Sequence, residues 1–353
     1  MRVVRSQAEL STAYSEARNE AAKAFADDTV FLEKYIDAPK HIEVQILGDN
    51  EGNLVHLFER DCSVQRRFQK VVEVAPSSGL KEETRQALFD HALAITRHVG
   101  YRNAGTVEFL LDAEQNIYFI EVNPRIQVEH TVTEQITGID IVRSQIQIAR
   151  GFRLSDPEVN IPSQESVHCN GYAVQCRITT EDPENNFQPD YGRLIAYRSA
   201  AGFGIRLDVG AAYTGAKVSP FFDSMLVKVT SQGRTLAGAI QRGHRALREF
   251  RIRGVKTNIG FLENVLEHPT FVSGKATVAF IDNHPELFRI SRKFDRATKT
   301  LSFIANLTVN GNPDVQHVDR DRVFRKPHVP HFSRLAEFPR GSKNRLDEMG
   351  PEA

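Results

Sequence analysis

The segment EVNPRIQVEH, residues 121–130, carries a polar side chain at every second position. These side chains are two carboxylates, two amides and a guanidinium, on Glu121, Asn123, Arg125, Gln127 and Glu129. Carboxylate and amide oxygens are preferred ligands of Mg²⁺ and Mn²⁺, and a guanidinium binds carboxylate or phosphate oxygens through paired hydrogen bonds. The segment could therefore bind a divalent cation beside an anion.

Another carboxylate, Glu108, lies upstream in GTVEFLLDAEQNIYFIEVN, a run that predicts a β-hairpin. A loop at residues 113–116 would pair Asp112 with Ile117, Leu110 with Phe119, Glu108 with Glu121 and Thr106 with Asn123. Two carboxylates that face each other repel unless a cation lies between them. We therefore predict a metal site formed by Glu108, Glu121 and Asn123, with Leu110 and Phe119 placed to support the aromatic base of a nucleotide.

The alternative for this hairpin is a solvated strand face on which polar residues alternate without function, and for a single hairpin that is the commoner case. Here Asn123-Pro124 ends the strand ladder, because proline has no N–H to donate. Polar residues nevertheless continue at Arg125, Gln127 and Glu129. That continuation favours a functional site.

Three other segments could contact a ligand. ERDCSVQRRFQK, residues 59–70, concentrates cations beside two glutamines and is a candidate anion-binding loop, although solvated charged loops are common. EKYI, residues 33–36, could present backbone amides and a carboxylate to a nucleotide, or be an ordinary buried strand. In AAGFGIRLD, Gly202 and Gly204 would let the backbone approach a ligand near Arg206, but the spacing is not a dinucleotide-binding fingerprint.

The elements that must position these residues are hairpins interleaved with helices. Helices are predicted in residues 6–25, 81–101, 133–151, 235–250 and 257–269, and strands in residues 29–36, 41–60, 105–123 and four shorter runs between 171 and 231. A composition shift near residues 154–166 suggests a domain boundary, and the basic, proline-bearing sequence from His284 onward is typical of a linker. The chain is predicted to be α+β with antiparallel sheets.

Composition excludes several classes of protein. Forty-five basic residues balance 45 acidic ones, so no nucleic-acid or polybasic membrane partner is expected. The three cysteines form no CxxC pair, which argues against a disulfide framework or a zinc site and favours a reducing cytoplasm. No apolar run approaches the length of a membrane span.

Five segments together resemble the biotin carboxylase domain of biotin-dependent carboxylases, which are ATP-grasp ligases. They are FLEKYIDAPKHIEVQILGDNEGN, ERDCSVQRRFQKVVEVAPSSGL, GTVEFLLD, FIEVNPRIQVEHTVTEQITGIDIV and GFGIRLD. FIDNHPELFRISRKFDRATKTLSFIANLTVNG is similar to the pyruvate carboxylase branch, and PRGSKNRLDEMGPEA to the bacterial lead-in to its carboxyltransferase domain. The resemblance covers essentially the whole chain. It implies that bicarbonate is activated with ATP to carboxyphosphate and that N1 of biotin, held on a carrier domain, is then carboxylated.

The resemblance also implies roles for individual residues through their matching motifs. Divalent ions would be held by Glu108, Glu121 and Asn123, bicarbonate by Lys70, Arg125, Gln127 and Val128, and ATP by Glu33, Lys34, Ile36, His41, Gln65 and Leu110. Glu129 would be the base that deprotonates bicarbonate, and a nearby cation would favour its ionised form. Arg206 would stabilise the biotin enolate.

The domain bounds implied by the resemblance are a remnant of the ATP-grasp lid subdomain (1–36), a metal and nucleotide half (37–155), a biotin carboxylase C-terminal domain (156–283) and a linker toward a carboxyltransferase domain (284–353). Two departures stand out. Phe68 replaces a histidine of the family, which removes a polar contact to the nucleotide. The glycine-rich phosphate loop and the N-terminal subdomain would precede Met1.

We therefore expect a partial ATP-grasp domain that is incomplete as a stand-alone enzyme. Its expected partners are the biotin carrier and carboxyltransferase domains, or a separate N-terminal half, within a homo-oligomer. The alternatives are a non-catalytic remnant or complementing half-module, and the biotin carboxylase subunit of an acyl-CoA carboxylase. The segment from Pro285 to Gly311 argues against the last of these.

Overall fold

The computed structural model describes residues 2–210, 212–290 and 296–311, and the chain divides into two compact units, residues 1–291 and 292–353. The helices are α1 (Gln7–Phe25), α2 (Glu82–His98), α3 (His130–Thr137), α4 (Ile141–Ala149), α5 (Leu236–Glu249), α6 (Ile259–Glu267), α7 (Pro269–Val272), α8 (Phe280–Asn283) and, in the second unit, α9 (Arg296–Asn310). Short 3₁₀ helices lie at Gln164–Ser166, Pro183–Asn185 and Pro285–Phe288.

The strands are β1 (Lys40–Gly48), β2 (Leu54–Arg66), β3 (Gln69–Ala75), β4 (Asn103–Leu111), β5 (Ile117–Asn123), β6 (Tyr172–Thr179), β7 (Glu181–Asp182), β8 (Gln188–Pro189), β9 (Gly192–Arg193), β10 (Ala196–Arg198), β11 (Ile205–Val209), β12 (Lys217–Val218), β13 (Met225–Gly233) and β14 (Arg251–Arg253). Eight of them form one sheet in the order β11-β13-β6-β3-β2-β1-β4-β5. Every ladder in that sheet is antiparallel. The α+β class with antiparallel sheets is thus confirmed.

The pairing of β3 with β6 joins the two halves of the first unit. Val72 lies opposite Cys176 and Ala75 opposite Ala173, so strands from either side of the predicted boundary near residue 155 share one continuous sheet. Helix α2 packs on the β1–β4 side around Ile42, Val44 and Phe109. A second core cluster covers the β6–β13 side with α5 and α6. Any site near β3 can therefore draw residues from both halves.

The prediction of a strand at residues 29–36 is wrong. These residues have no regular structure, and Phe31 and Leu32 are largely exposed. A strand is stabilised by hydrogen bonds to a neighbouring strand, and the described part of the chain provides none here. Helix α1 begins after Ser6 as predicted, with the Ser6 hydroxyl donating to the Glu9 carboxylate at 2.9 Å.

The segment predicted as a linker contains α9, whereas residues 312–353 lie outside the described part of the chain. No helix among the described residues has the length and apolar character needed to cross a membrane.

His56 on β2 gives a test of the core around α2. Its ring stacks on Phe89 with centroids 3.8 Å apart, and burial lowers its pKa from 6.5 to about 4. As the pH falls below 6.5, the unfolded chain binds a proton that the folded chain excludes, so folding stability is lost. We expect the protein to lose about 2 kcal/mol of stability between about pH 7 and pH 5 through this group.

Replacing His56→Phe should keep the stacked ring and flatten this pH dependence, as measured by denaturant unfolding at both pH values. His91→Gln, at an exposed position on α2, is the matched control and should keep the wild-type slope. An unchanged slope in His56→Phe would show that the ring titrates equally in both states.

Candidate active site

The β4–β5 hairpin brings the predicted metal ligands together. Glu108 lies opposite Glu121 and Thr106 opposite Asn123, as the predicted register required. The Nδ2 atom of Asn123 is 3.1 Å from Oε1 of Glu108 and 3.0 Å from Oε1 of Glu121. Three side chains therefore converge at one point on the hairpin.

Beyond Glu108 the predicted register is wrong by one residue. Phe109 pairs with Phe119, Leu110 with Tyr118 and Leu111 with Ile117, because Ile120 forms a bulge in β5. The loop begins at Asp112, whose carboxylate accepts hydrogen bonds from the backbone N–H groups of Glu114 and Asn116. The bulge at Ile120 moves the expected Leu110–Phe119 pair out of register while leaving the pairs of the predicted metal ligands intact.

The donor set of this hairpin suits a hard divalent cation. Two carboxylates and an amide supply oxygen ligands, and turning the Asn123 amide end over end would point its oxygen, rather than its nitrogen, at the two glutamates. Mg²⁺ and Mn²⁺ prefer such oxygen ligands and keep further positions for phosphate and water. The residues present therefore fit the metal that the sequence predicts.

Lys70 lies at the centre of the site. Its Nζ atom is 2.5 Å from a carboxylate oxygen of Glu43, 3.0 Å from one of Glu108 and 2.6 Å from one of Glu129. Burial alone would lower the pKa of Lys70, but these carboxylates raise it above its ordinary value. Burial would likewise raise the pKa of Glu43, yet Arg60 and Lys70 hold it at about 2. Lys70 and Glu43 thus remain charged.

Arg60 is fully buried beneath the site. Its guanidinium donates to Glu43 at 2.5 Å and to Gln127 at 3.3 Å, and further bonds reach Gln45, Thr133 and Thr106. The predicted anion-binding loop at residues 59–70 is instead the end of β2, a turn and the start of β3. Arg60 therefore acts from within the sheet, where it positions Gln127.

The tip of the β2–β3 turn lies at the edge of the cleft. Arg66 donates to the backbone and side-chain oxygens of Asn186. Phe68 has a φ of 63° and is 85% exposed. Phe68 thus presents an aromatic ring to solvent at the position where the resemblance implies a histidine.

Glu129 is 2% exposed and lies between two cations. One carboxylate oxygen contacts Lys70, and the other accepts a hydrogen bond at 3.1 Å from Nη2 of Arg177. Arg177 on β6 was missed from the sequence. The signal that could have found it is the alternation in YAVQCRIT, where Gln175, Arg177 and Thr179 share one face of a largely buried strand.

A cleft of about 600 Å³ joins these groups, and it is called the metal cleft after the predicted ligands that line it. Of the predicted site residues it is lined by His41, Lys70, Glu108, Glu121, Asn123, Arg125, Gln127, Val128 and Glu129, and it also includes Arg177 and Phe68. The cleft therefore places the predicted metal and bicarbonate residues beside each other.

The predicted nucleotide residues are more scattered. Gln65 donates to Nδ1 of His41 at 2.6 Å, and Nε2 of His41 is 2.8 Å from Glu108, so Gln65 supports the cleft from behind. Ile36 is buried. Lys34 and Leu110 lie at the β4–β5 hairpin, where Lys34 Nζ is 4.7 Å from the centre of the Tyr118 ring and Leu110 is the strand partner of Tyr118. Glu33 is exposed and has no regular structure.

Arg206 lies elsewhere. It forms a double hydrogen bond with Asp208 at 2.8 and 2.9 Å and an ion pair with Glu134, and it lines a second cleft of about 820 Å³. Strand β11, which carries Arg206, is separated from β6 by β13. Among the described residues that line the metal cleft, the guanidinium contributed by the C-terminal half is that of Arg177.

A further group of possible metal donors is His268, His284 and Glu286. Nδ1 of His268 accepts a hydrogen bond from the backbone N–H of Thr270, so its proton belongs on Nε2, which is 3.2 Å from Glu286. Nδ1 of His284 is 2.9 Å from the same Glu286 oxygen. This group therefore forms a hydrogen-bonded cluster around α7.

Two family models match the chain. "Carbamoyl-phosphate synthase L chain, ATP binding domain" matches residues 1–157, and "Biotin carboxylase C-terminal domain" matches residues 175–283. Together with the eight-stranded antiparallel sheet and the cleft at β3, they define a class of protein. The chain belongs to the biotin carboxylase family of ATP-grasp proteins.

Within that family the chain is similar along its whole length to pyruvate carboxylases. It is 52% identical to the enzyme of Staphylococcus aureus over 353 residues, which is 100% of this chain and 30% of that protein. A structure of Rhizobium etli pyruvate carboxylase with the allosteric activator acetyl coenzyme-A is 56% identical, with a TM-score of 0.79 over 89% of this chain and 28% of that one.

Another solved structure carries ligands. The biotin carboxylase domain dimer of Hydrogenobacter thermophilus 2-oxoglutarate carboxylase, in complex with MgADP, ADP and bicarbonate, is 44% identical, with a TM-score of 0.76 over 82% of this chain and 63% of that one. By comparison, the chain spans less than a third of the length of the curated Staphylococcus aureus relative.

The metal assignment predicts the effect of removing one charge. Glu121→Gln should weaken binding of Mn²⁺ in the presence of ATP by about tenfold or more, because a neutral amide replaces a carboxylate ligand. Mn²⁺ electron paramagnetic resonance would measure the affinity. Glu114→Gln, at an exposed carboxylate in the loop of the same hairpin, is the control. Equal affinity in Glu121→Gln and wild type would exclude Glu121 as a ligand.

Proposed function

We propose that this chain carries the site at which a pyruvate carboxylase activates bicarbonate with ATP for the carboxylation of carrier-bound biotin. The observation that carries the proposal is the placement of Glu129. Its buried carboxylate lies between Lys70 and Arg177 in the cleft that also holds the oxygen donors Glu108, Glu121 and Asn123. A base, two cations and a metal-binding hairpin are thus combined in one site.

In the first step Glu129 accepts the proton of bicarbonate. The bicarbonate oxygen then forms a bond to the γ-phosphorus of ATP, and the bond from that phosphorus to the ADP oxygen breaks. The products are carboxyphosphate and ADP, with the proton held on Glu129. A positioned carboxylate is an effective base for such a transfer, and the contacts of Glu129 with Lys70 and Arg177 fix its position in the cleft.

The cations of the cleft offset the charge of the reactants. Lys70 and Arg125 would bind the bicarbonate oxygens, and Gln127, positioned by Arg60, would orient them with the backbone at Val128. A divalent ion held by Glu108, Glu121 and Asn123 would neutralise phosphate charge when bound. Charge stabilisation of this kind is the main contribution of protein groups to phosphoryl transfer.

We propose that Arg177, rather than Arg206, faces the biotin ureido group. Arg177 lines the same cleft as Glu129, whereas Arg206 pairs with Glu134 and Asp208 in the second cleft.

The remaining proposals concern the protein as a whole. The similarity to about a third of pyruvate carboxylase supports biotin carrier and carboxyltransferase domains as partners, and the dimer of the Hydrogenobacter domain supports a homo-oligomer. The described cysteines, Cys62, Cys169 and Cys176, are free thiols, which supports the reducing cytoplasm as the compartment.

Glu129→Gln tests the base. We expect bicarbonate-dependent ATP cleavage in the purified protein to fall by about 10² to 10⁴, because glutamine cannot take the proton. ATP affinity should change little, since the amide keeps the shape of the side chain. Glu158→Gln, away from the cleft, is the control. Wild-type turnover in Glu129→Gln would refute the proposed function.

Arg177→Lys and Arg206→Lys separate the two arginines. Lysine cannot reproduce a guanidinium that contacts two carboxylates. Turnover with free biotin should therefore fall at least about tenfold in Arg177→Lys and stay near wild type in Arg206→Lys. The reverse order would restore the role that the sequence assigned to Arg206.

A further inference from the structure

Glu73 on β3 is a buried carboxylate that has no role in the proposed mechanism. It is fully buried and is not among the described residues that line the metal cleft. Its strand partner on β6 is Gln175. Burial is the main reason that its pKa is raised, and Arg177 opposes that rise. An ionised carboxylate at such a position requires compensating contacts.

Both oxygens of Glu73 are bonded within the protein. Oε1 accepts from Nε of Arg177 at 2.5 Å and contacts Nη2 of the same guanidinium, and Oε2 accepts from Gln175 at 2.8 Å. Gln175 in turn accepts a hydrogen bond from Thr131, which lies on α3 two residues after Glu129. Glu73 therefore acts on the cleft only through other side chains.

The guanidinium of Arg177 is shared between two carboxylates. Glu73 contacts its Nε and Nη2 atoms, and Glu129 contacts Nη2 alone. If Glu73 lost its charge, Glu129 would be the remaining anion in contact with Arg177, and a double hydrogen bond between them would be favoured. Such a pair would occupy the carboxylate oxygens that must accept the bicarbonate proton.

We propose that Glu73 is a positioning residue that holds Arg177 away from full pairing with Glu129, and so keeps the base accessible to bicarbonate. The inference rests on the proposed function, because it assumes that Glu129 is the base. Arg177 is thereby held in the orientation in which it faces the cleft. Glu129 then has one oxygen bonded to Lys70 and one that accepts a single hydrogen bond from Arg177, so this second oxygen keeps a lone pair that bicarbonate can approach.

The test is a double-mutant cycle on bicarbonate-dependent ATP cleavage by the purified protein. Glu73→Gln should lower kcat by about 10- to 100-fold, the range seen when groups that orient catalytic ligands are removed. KM for MgATP should change by less than about twofold. In an Arg177→Met background, Glu73→Gln should cause no further loss, because its target is already gone.

A structural control is available on the same sheet. Glu59 on β2 is also fully buried and pairs with an arginine, Arg85, at 3.0 Å, but neither residue lines the cleft among the described residues. Glu59→Gln should lower thermal stability as Glu73→Gln does and leave kcat near wild type. Equal loss of kcat in both variants, or additive loss in the Arg177→Met background, would show that Glu73 is merely structural.

A measurement on the unaltered protein covers the case in which Glu73→Gln does not fold. Rotation of the Arg177 guanidinium about its Nε–Cζ bond, measured by ¹⁵N NMR and assigned with Arg177→Lys, should be slow because Nε and Nη2 are both bonded. Fast rotation would overturn the proposal.

The kinetic variants separate failure of the proposed function from failure of this inference. If Glu129→Gln and Arg177→Lys are fully active, the proposed function fails. If they are inactive while Glu73→Gln keeps the wild-type kcat, only this inference fails.

Discussion

The contact between one ammonium group and three carboxylates is the interaction on which the site depends. Glu43 on β1, Glu108 on β4 and Glu129 at the start of α3 all approach Nζ of Lys70 within 3.0 Å. Without that cation, the three carboxylates would repel each other in a largely buried setting, and removing one partner from such a group is strongly destabilising. The same charge links the predicted metal ligand Glu108 to the proposed base Glu129.

Strand β3 is where this charge network joins the rest of the sheet. It carries Lys70 toward β1 and β4, and Glu73 toward Arg177 on β6. The two family models lie on opposite sides of this junction: the model that contains β3 ends at residue 157, and the other begins at residue 175, within β6. The cleft is therefore shared by both halves: the first supplies the residues proposed to bind metal and bicarbonate and to act as the base, and the second supplies Arg177.

The sequence predicted some parts of the structure well because they depend on local spacing. The pairing of Glu108 with Glu121 follows from a short hairpin, in which loop length sets the register. The same reasoning placed the Leu110 pair wrongly, because a single bulged residue in β5 is not visible in an alternating pattern. The strand expected at residues 29–36 also failed, since alternation shows what could pair and not whether a partner is present.

Residue types and spacing by themselves predicted that a cation-binding carboxylate pair, an amide and an anion-binding segment follow one another from Glu108 to Glu129, and they carried the resemblance to the biotin carboxylase family. Tertiary structure alone decided which arginine joins them. Arg177 and Arg206 both lie on short polar-alternating strands in the second half of the chain, but the sheet order places β6 beside β3 and leaves β11 at its edge. Contacts between residues 48 or more positions apart, such as Arg177 with Glu129, arise from strand order, which is settled by packing of the whole sheet and not by any local pattern.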